Sequence, residues 1–376
     1  MKSKFFSLFS LLLTGGFLSA QMPGMMTMQQ ASVPQGTTLG ANTTSGAAGI
    51  ALGNRVVMRG YVDFIFKYDD EDGGDQTEAF NTAADIDFLF DFSPVTGEIH
   101  LNATNSNLIS AKTSSTPAIL GTTYSTTGTS DGVGIEQAFG RYSLNRDFNF
   151  SFGRQLTVLG YEADEAPGLF AVSNAYYLGA KGAALTTGNA NVKIRRNYKD
   201  GVRANFNNGK FGLTVGLHDG YWIGDDFNGD NIALDIAASL MIIPGLEARL
   251  GYAHEEVDQG ATSKDISQFN GWLGYNPGDL TLALEFDNYE ILDDDYWSMM
   301  LLANYQFVDW MGATIRYSHE DYEKGNTDHD ADRFSFALLF SLTQNFGINM
   351  EYSTTSVDST LLGDYDEFYV EGLLSF

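Results

Sequence analysis

The chain closes on FYVEGLLSF, residues 368–376, an apolar stretch whose last residue is aromatic. A soluble domain commonly frays at its terminus and ends on residues that water tolerates. Taken alternately, this stretch separates into two faces. Phe368, Val370, Leu374 and Phe376 fall on one, and Tyr369, Glu371 and Ser375 on the other. Successive side chains of a strand point to opposite sides, so the segment reads as a strand with one oily and one wet face. A last strand that must pair with the first to close a sheet in lipid cannot fray, because an open edge there leaves backbone groups unsatisfied. The terminal Phe376 then belongs in an aromatic girdle at the membrane surface.

The same period of two recurs upstream. In VVMRGYVDFIFKY, residues 56–68, Val56, Met58, Val62, Phe64 and Phe66 oppose Arg59, Tyr61, Asp63 and Lys67. In ADIDFLFDF, residues 84–92, Ile86, Phe88, Phe90 and Phe92 oppose Asp85, Asp87 and Asp91. About sixteen such segments can be counted, among them 310–320, 332–342 and 345–353. Most approach the roughly 9–11 residues that a tilted strand needs to cross a bilayer.

The links alternate in length. Short ones are SPVT (93–96), LNRD (144–147), NNGK (207–210), IIPG (242–245), NPGD (276–279), FVDW (307–310) and LTQNF (342–346). Long ones span 69–83, 105–133, 156–196, 219–230, 256–266, 321–331 and 354–365, with a brief LDDD at 292–295. Tight turns at one end and longer loops at the other are the habit of an outer-membrane barrel. The expected fold is therefore all-β: an antiparallel transmembrane β-barrel of about sixteen strands, with fourteen to eighteen left open. Forty-one glycines and 13% aromatics against seven prolines suit such a chain.

The N-terminus reads as an export signal. Lys2 and Lys4 precede the apolar run FFSLFSLLLTGGFL, and Ser19 and Ala20 supply small residues for cleavage. The expected organisation is a signal peptide at 1–20, a flexible periplasmic leader at 21–53 and the barrel at 54–376. No later stretch offers about 18 consecutive apolar residues, so no transmembrane helix is expected. Cysteine is absent, which removes disulfides and thiolate chemistry. With 48 acidic against 21 basic residues the formal charge is −27, which argues against nucleic acid as a partner.

Two stretches carry a family likeness. GRQLTVLGYEADEAP (153–167) and KDGVRANFNNGKFGLTVGLHDGYW (199–222) resemble the OmpL-like β-barrel porin family of Gram-negative outer membranes. The resemblance implies passive diffusion of small hydrophilic solutes, without specifying which. The aromatic, alternating C-terminal strand resembles the assembly signal of outer-membrane proteins, carried here by Phe368, Val370, Leu374 and Phe376. Lipids of the outer membrane and the barrel assembly machinery are the implied partners, and a homotrimer is a common state of such pores.

If the apolar faces meet lipid, the opposite faces line a polar interior. Arg59, Asp63, Asp85, Asp87, Arg203, Arg249 and Arg316 are expected on the pore wall. Unpaired charges in a dry core would cost several kcal/mol each, by order of magnitude, so the pattern requires a water-filled lumen. The longest link, 156–196, is the candidate constriction, with Tyr161, Glu162, Asp164 and Glu165 early and Lys193, Arg195 and Arg196 late. Opposed acidic and basic clusters would set up a transverse field across the pore. The links also carry acidic runs, such as YDDEDGGD (68–75) and HEDYEKGNTDHDAD (319–332). These read first as solvated surface and only secondarily as a mild preference for cations. DHDAD lacks the glycine and distal glutamate of a calcium loop.

No catalytic, cofactor or metal site is expected. There is no P-loop, no HExxH and no GxSxG elbow. His319, beside Glu320 and Asp321, and His329, between Asp328 and Asp330, are the only residues that would prompt a hydrolase reading. The alternatives to a porin are a plugged structural or adhesive barrel and, further off, an outer-membrane hydrolase.

Overall fold

The structure is a computed structural model. It describes residues 49–376 except 73, 75, 105–131, 164, 177–185, 188–189, 192–197, 223–232, 259–262, 292–293, 325–326 and 359–362. The expected signal peptide and nearly all of the expected leader lie outside the described residues.

Sixteen long strands form the wall. They are β1 (Val56–Glu71), β2 (Thr77–Phe92), β3 (Val95–Thr104), β4 (Gly132–Ser143), β5 (Phe148–Leu156), β6 (Tyr198–Asn207), β7 (Phe211–His218) and β8 (Ala233–Ile243). They continue as β9 (Leu246–Asp258), β10 (Ser263–Tyr275), β11 (Leu280–Ile291), β12 (Asp294–Val308), β13 (Met311–Lys324), β14 (Thr327–Ser341), β15 (Phe346–Asp358) and β16 (Tyr365–Ser375). Each pairs antiparallel with its sequence neighbours, and β16 pairs antiparallel with β1, from Glu71 opposite Tyr365 to Tyr61 opposite Ser375. The last residue completes the seam: Gly60 and Phe376 exchange two backbone hydrogen bonds of 3.0 Å. Ile50–Ala51 pairs with β1 at Met58 and Val57, just beyond the point where β16 ends.

Alternation decides which residues face which medium. Phe64, Phe80, Ile86, Phe92, Phe150 and Phe152 are exposed on the outside, and the first two stack at 5.4 Å. Asp63, Asp85, Asp87, Asn149 and Ser151, one step away, are buried inside. The short turns are tied by their own polar residues. Asn145 Oδ1 accepts from the Asp147 and Phe148 amides at 2.9 Å each, and Asn208 Oδ1 accepts from Phe211 N at 2.8 Å. These close Asx turns let the chain reverse within a few residues.

The opposite end departs from the sequence expectation. The stretches 69–83, 256–266 and 321–331 are largely strand, since β1 runs to Glu71 and β2 begins at Thr77, while β13 runs to Lys324 and β14 begins at Thr327. Acidic HEDYEKGNTDHDAD is thus most of a hairpin instead of a loop. The reason is that the apolar stripe ends where lipid ends, whereas backbone pairing needs no apolar face and continues into water. No helix among the described residues is long and apolar enough to cross a membrane, which says nothing of strands.

Candidate pore and inward segment

The link after β5 does not lie over the rim. Its described part, 157–163 and 165–176, runs through the interior and touches strands around much of the ring. Leu159 packs with Ala253, Ile266, Tyr289 and Tyr296, on β9 to β12. Tyr161 meets Trp272 edge to face at 5.4 Å, and Phe170, Ala175 and Tyr176 pack with Ala283, Met300 and Leu302. Ala171 reaches Ala337 and Leu339 on β14, and Val172 reaches Ile65 on β1 and Tyr369 on β16. A short 3-10 turn at Ala166–Gly168, with Pro167 inside it, redirects the chain midway.

A buried loop carries backbone amides that need acceptors. Here wall carboxylates supply them. Glu285 Oε1 accepts from Tyr161 N at 2.7 Å and from Asn270 Nδ2 at 2.9 Å, while the Tyr176 hydroxyl donates to its other oxygen. Glu351 accepts from Ser173 N at 2.7 Å and Ser173 Oγ at 2.5 Å. Gly160 N donates to Asn270 Oδ1 at 3.1 Å. The arrangement is locked by Arg316 of β13. Its guanidinium donates to Glu162 Oε1 at 2.7 Å, to Ser173 O at 2.8 Å and to Asn174 O at 3.1 Å, and lies 3.7 Å from Glu351. Glu162 in turn accepts from Ala175 N at 2.9 Å, so the segment also bonds to itself. Burial, reinforced by the nearby Glu285 carboxylate, pushes the Tyr161 phenol well above its usual value and keeps it neutral.

A second link enters alongside. Tyr221 N and Trp222 N donate to Glu255 at 2.9 and 2.5 Å, and both rings pack with Leu159. The sequence placed this stretch in an outer loop starting at 219, and its first described residues turn inward instead. Glu255 is the residue that sequence reading missed; inward periodicity on β9, shared with Arg249, was the available signal.

The sequence-selected residues are distributed as follows. Tyr161 and Glu162 are buried against the wall, and Glu165 is buried beside β2 and β4. Asp164, Lys193, Arg195 and Arg196 lie outside the described residues. All seven wall residues, Arg59, Asp63, Asp85, Asp87, Arg203, Arg249 and Arg316, face inward and are buried. Arg203 lies 3.4 Å from Asp235 and donates to Leu156 O at 3.1 Å, and Asp87 lies 2.9 Å from His100 Nδ1. Phe368, Val370 and Phe376 share the outer face with exposed Leu374.

The histidine–acid neighbours do not form a dyad through adjacency. Glu320 points inward and accepts from Tyr296 at 2.9 Å, whereas His319 points outward, 2.9 Å from Asp332 and with its ring tilted against Trp297, centroids 4.6 Å apart. Side chains one apart on a strand cannot act on one substrate.

A closed sheet with an apolar outside, a polar inside and a chain segment crossing that inside defines a porin-like transmembrane barrel. Its place is the outer membrane of a Gram-negative bacterium, where barrels of this architecture sit. No protein-family model and no curated protein matches the sequence. Solved structures do match in fold. The anion-selective porin from Comamonas acidovorans superposes with a TM-score of 0.59 at 14% identity, over 85% of this chain and 99% of that one. The outer membrane channel DcaP of Acinetobacter baumannii gives 0.58 at 12% identity, over 88% and 100%. The trimer form of OmpT, an outer membrane protein of Vibrio cholerae, gives 0.54 at 12% identity, over 86% and 100%. At these identities the likeness establishes the fold alone.

Proposed function

We propose that the protein is a passive diffusion channel for small hydrophilic solutes and ions with a mild preference for cations. The observation that carries the reading is the balance of inward charge: among the described residues, sixteen carboxylates are buried against six arginines. An acid-rich, low-dielectric lining raises the local concentration of cations and lowers that of anions. The inward segment narrows the path, with Tyr161, Glu162 and Glu165 holding it to the wall. The proposed constriction extends to Asp164, Lys193, Arg195 and Arg196, which lie outside the described residues, and the proposed pore wall is Arg59, Asp63, Asp85, Asp87, Arg203, Arg249 and Arg316. The OmpL-like family fits this reading through the two stretches quoted above. Phe368 to Phe376 serves as the assembly signal, and trimerisation is supported by the trimer form of the Vibrio OmpT.

Recording of the purified protein in a planar bilayer tests the channel. Discrete conductance steps with a reversal potential on the cation side are expected in a potassium chloride gradient. Absence of steps would favour a second reading, that of a plugged barrel. The near-complete burial of Asp85, Glu255, Glu285 and Glu351 speaks for that alternative.

A further inference from the structure

The outer face of the barrel is interrupted at one place. On β5 the outward positions rise from the short-turn end as Phe148, Phe150, Phe152 and Arg154, and on β6 as Phe206, Ala204, Val202 and Asp200. The apolar run therefore stops after 148–152 on one strand and 202–206 on the other. It continues over 95–103 on β3, 133–142 on β4 and 234–242 on β8. A strand tilted by about 40° gains about 2.5 Å of height per residue. Five residues cover about 13 Å of an apolar band about 25 Å tall, whereas nine or ten cover nearly all of it.

Arg154 and Asp200 thus fall about halfway up the band, directly opposite each other in the ladder. Their only printed tie is loose, Arg154 Nη1 lying 3.6 Å from Asp200 Oδ2, and the side chains are 38% and 57% exposed. Arg154 Nε is buried with no hydrogen-bond partner. Among the described residues Arg154 is the only arginine on the outer face of a strand. Hydrocarbon offers such a pair nothing, and a charge facing lipid at this depth is destabilising. The surface beside the pair is flat. The Phe152 ring lies across Gly140, where a Cβ would come within 2.8 Å of Cζ, and Gly97 stands opposite Gly140 on β3.

We infer that the outer face of β5 and β6 meets a second copy of this chain, with Arg154 and Asp200 at the contact. The inference rests on the oligomer included in the proposed function and names where its copies meet. A lipid phosphate would suit Arg154 but would be repelled by Asp200 beside it. Another copy presents one charge of each sign, a carboxylate for Arg154 and a guanidinium for Asp200, and so complements the pair as a whole.

Light scattering of the full-length protein in mild detergent, over a dilution series, reads the particle mass and tests this without reference to conduction. A multiple of the chain mass is expected for the unaltered protein. Arg154→Glu sets two acids opposite each other and should weaken association at least tenfold; adding Asp200→Arg should restore it. Ala204→Trp on β6 should also yield single barrels, whereas Ala303→Trp, on the outer face of β12, should leave the assembly unchanged. Heat-modifiable migration on gels shows that each variant is folded, and should Arg154→Glu or Ala204→Trp fail to fold, the other decides. A single barrel for the unaltered protein would overturn the oligomer and the contact together, whatever its conductance. An assembly that survives both Arg154→Glu and Ala204→Trp, or is lost in Ala303→Trp, would leave the oligomer standing and overturn this face. Unchanged mass with loss of co-purifying phosphate-bearing lipid in Arg154→Glu would give the pair to a lipid headgroup and overturn the inference as well.

Discussion

Leu159 and Tyr161 lie against the wall because the wall has no side chain where they land. A Cβ on Gly251 would come within 2.1 Å of Leu159 Cδ2, and one on Gly274 within 3.0 Å of Tyr161 Cε2. These two inward glycines are sockets for the crossing segment. Gly251→Ala should therefore cost about 1–3 kcal/mol through overpacking, and Leu159→Ala in the same chain should restore part of it. Thermal unfolding of the single and double variants in detergent measures both effects; additivity would show that the contact is not made. Arg316 is the other critical residue, since it neutralises Glu162 and Glu351 together. Arg316→Ala leaves two buried acids facing each other and should cost about 3 kcal/mol. Limited proteolysis between residues 157 and 176 should accelerate with it, and an unchanged digestion rate would remove Arg316 from the anchoring role.

Among elements, β16 and the inward segment have separate duties. The two hydrogen bonds between Phe376 and Gly60 finish the seam on which closure depends. Deleting Phe376 removes both bonds and an outward aromatic, so folded barrel recovered from the outer membrane should fall several-fold, as read by heat-modifiable migration on gels. Wild-type recovery would show that the seam tolerates an open end. For the inward segment, the proposed basic group at Arg195 and Arg196 is best tested by charge reversal. Arg195→Glu combined with Arg196→Glu should raise cation over anion permeability, and unchanged reversal potentials would take that part of the link out of the pore.

For the whole molecule, an acid-rich interior makes selectivity dependent on ionic strength. Screening shortens the reach of lining charge from about 30 Å at 0.01 M salt to about 3 Å at 1 M. The proposed cation preference should therefore be largest in dilute salt and fade toward molar concentrations; a constant permeability ratio would mean that selectivity comes from size alone. The structure also changes the meaning of the inward acids. Glu255, Glu285 and Glu351 accept backbone amides of segments that enter the lumen, so part of the negative lining holds those segments in place.

The barrel was legible in the residues alone because lipid and water impose opposite demands on neighbouring side chains, and that demand is written locally, every second position from Val56 to Phe376. The inward wall residues followed from the same parity, and so did the outward placement of Phe150, Phe152 and Leu374. Strand ends in the acidic hairpins were not legible, since pairing beyond the membrane leaves no apolar stripe to count. Nor could any local pattern show that Leu159 meets Gly251, that Arg316 reaches Glu162 across 154 residues, or that Asp85, Glu136 and Glu165 converge. Those are meetings between distant parts of the chain, decided only when the sheet has closed and the segment after β5 has a curved, polar wall to fold against.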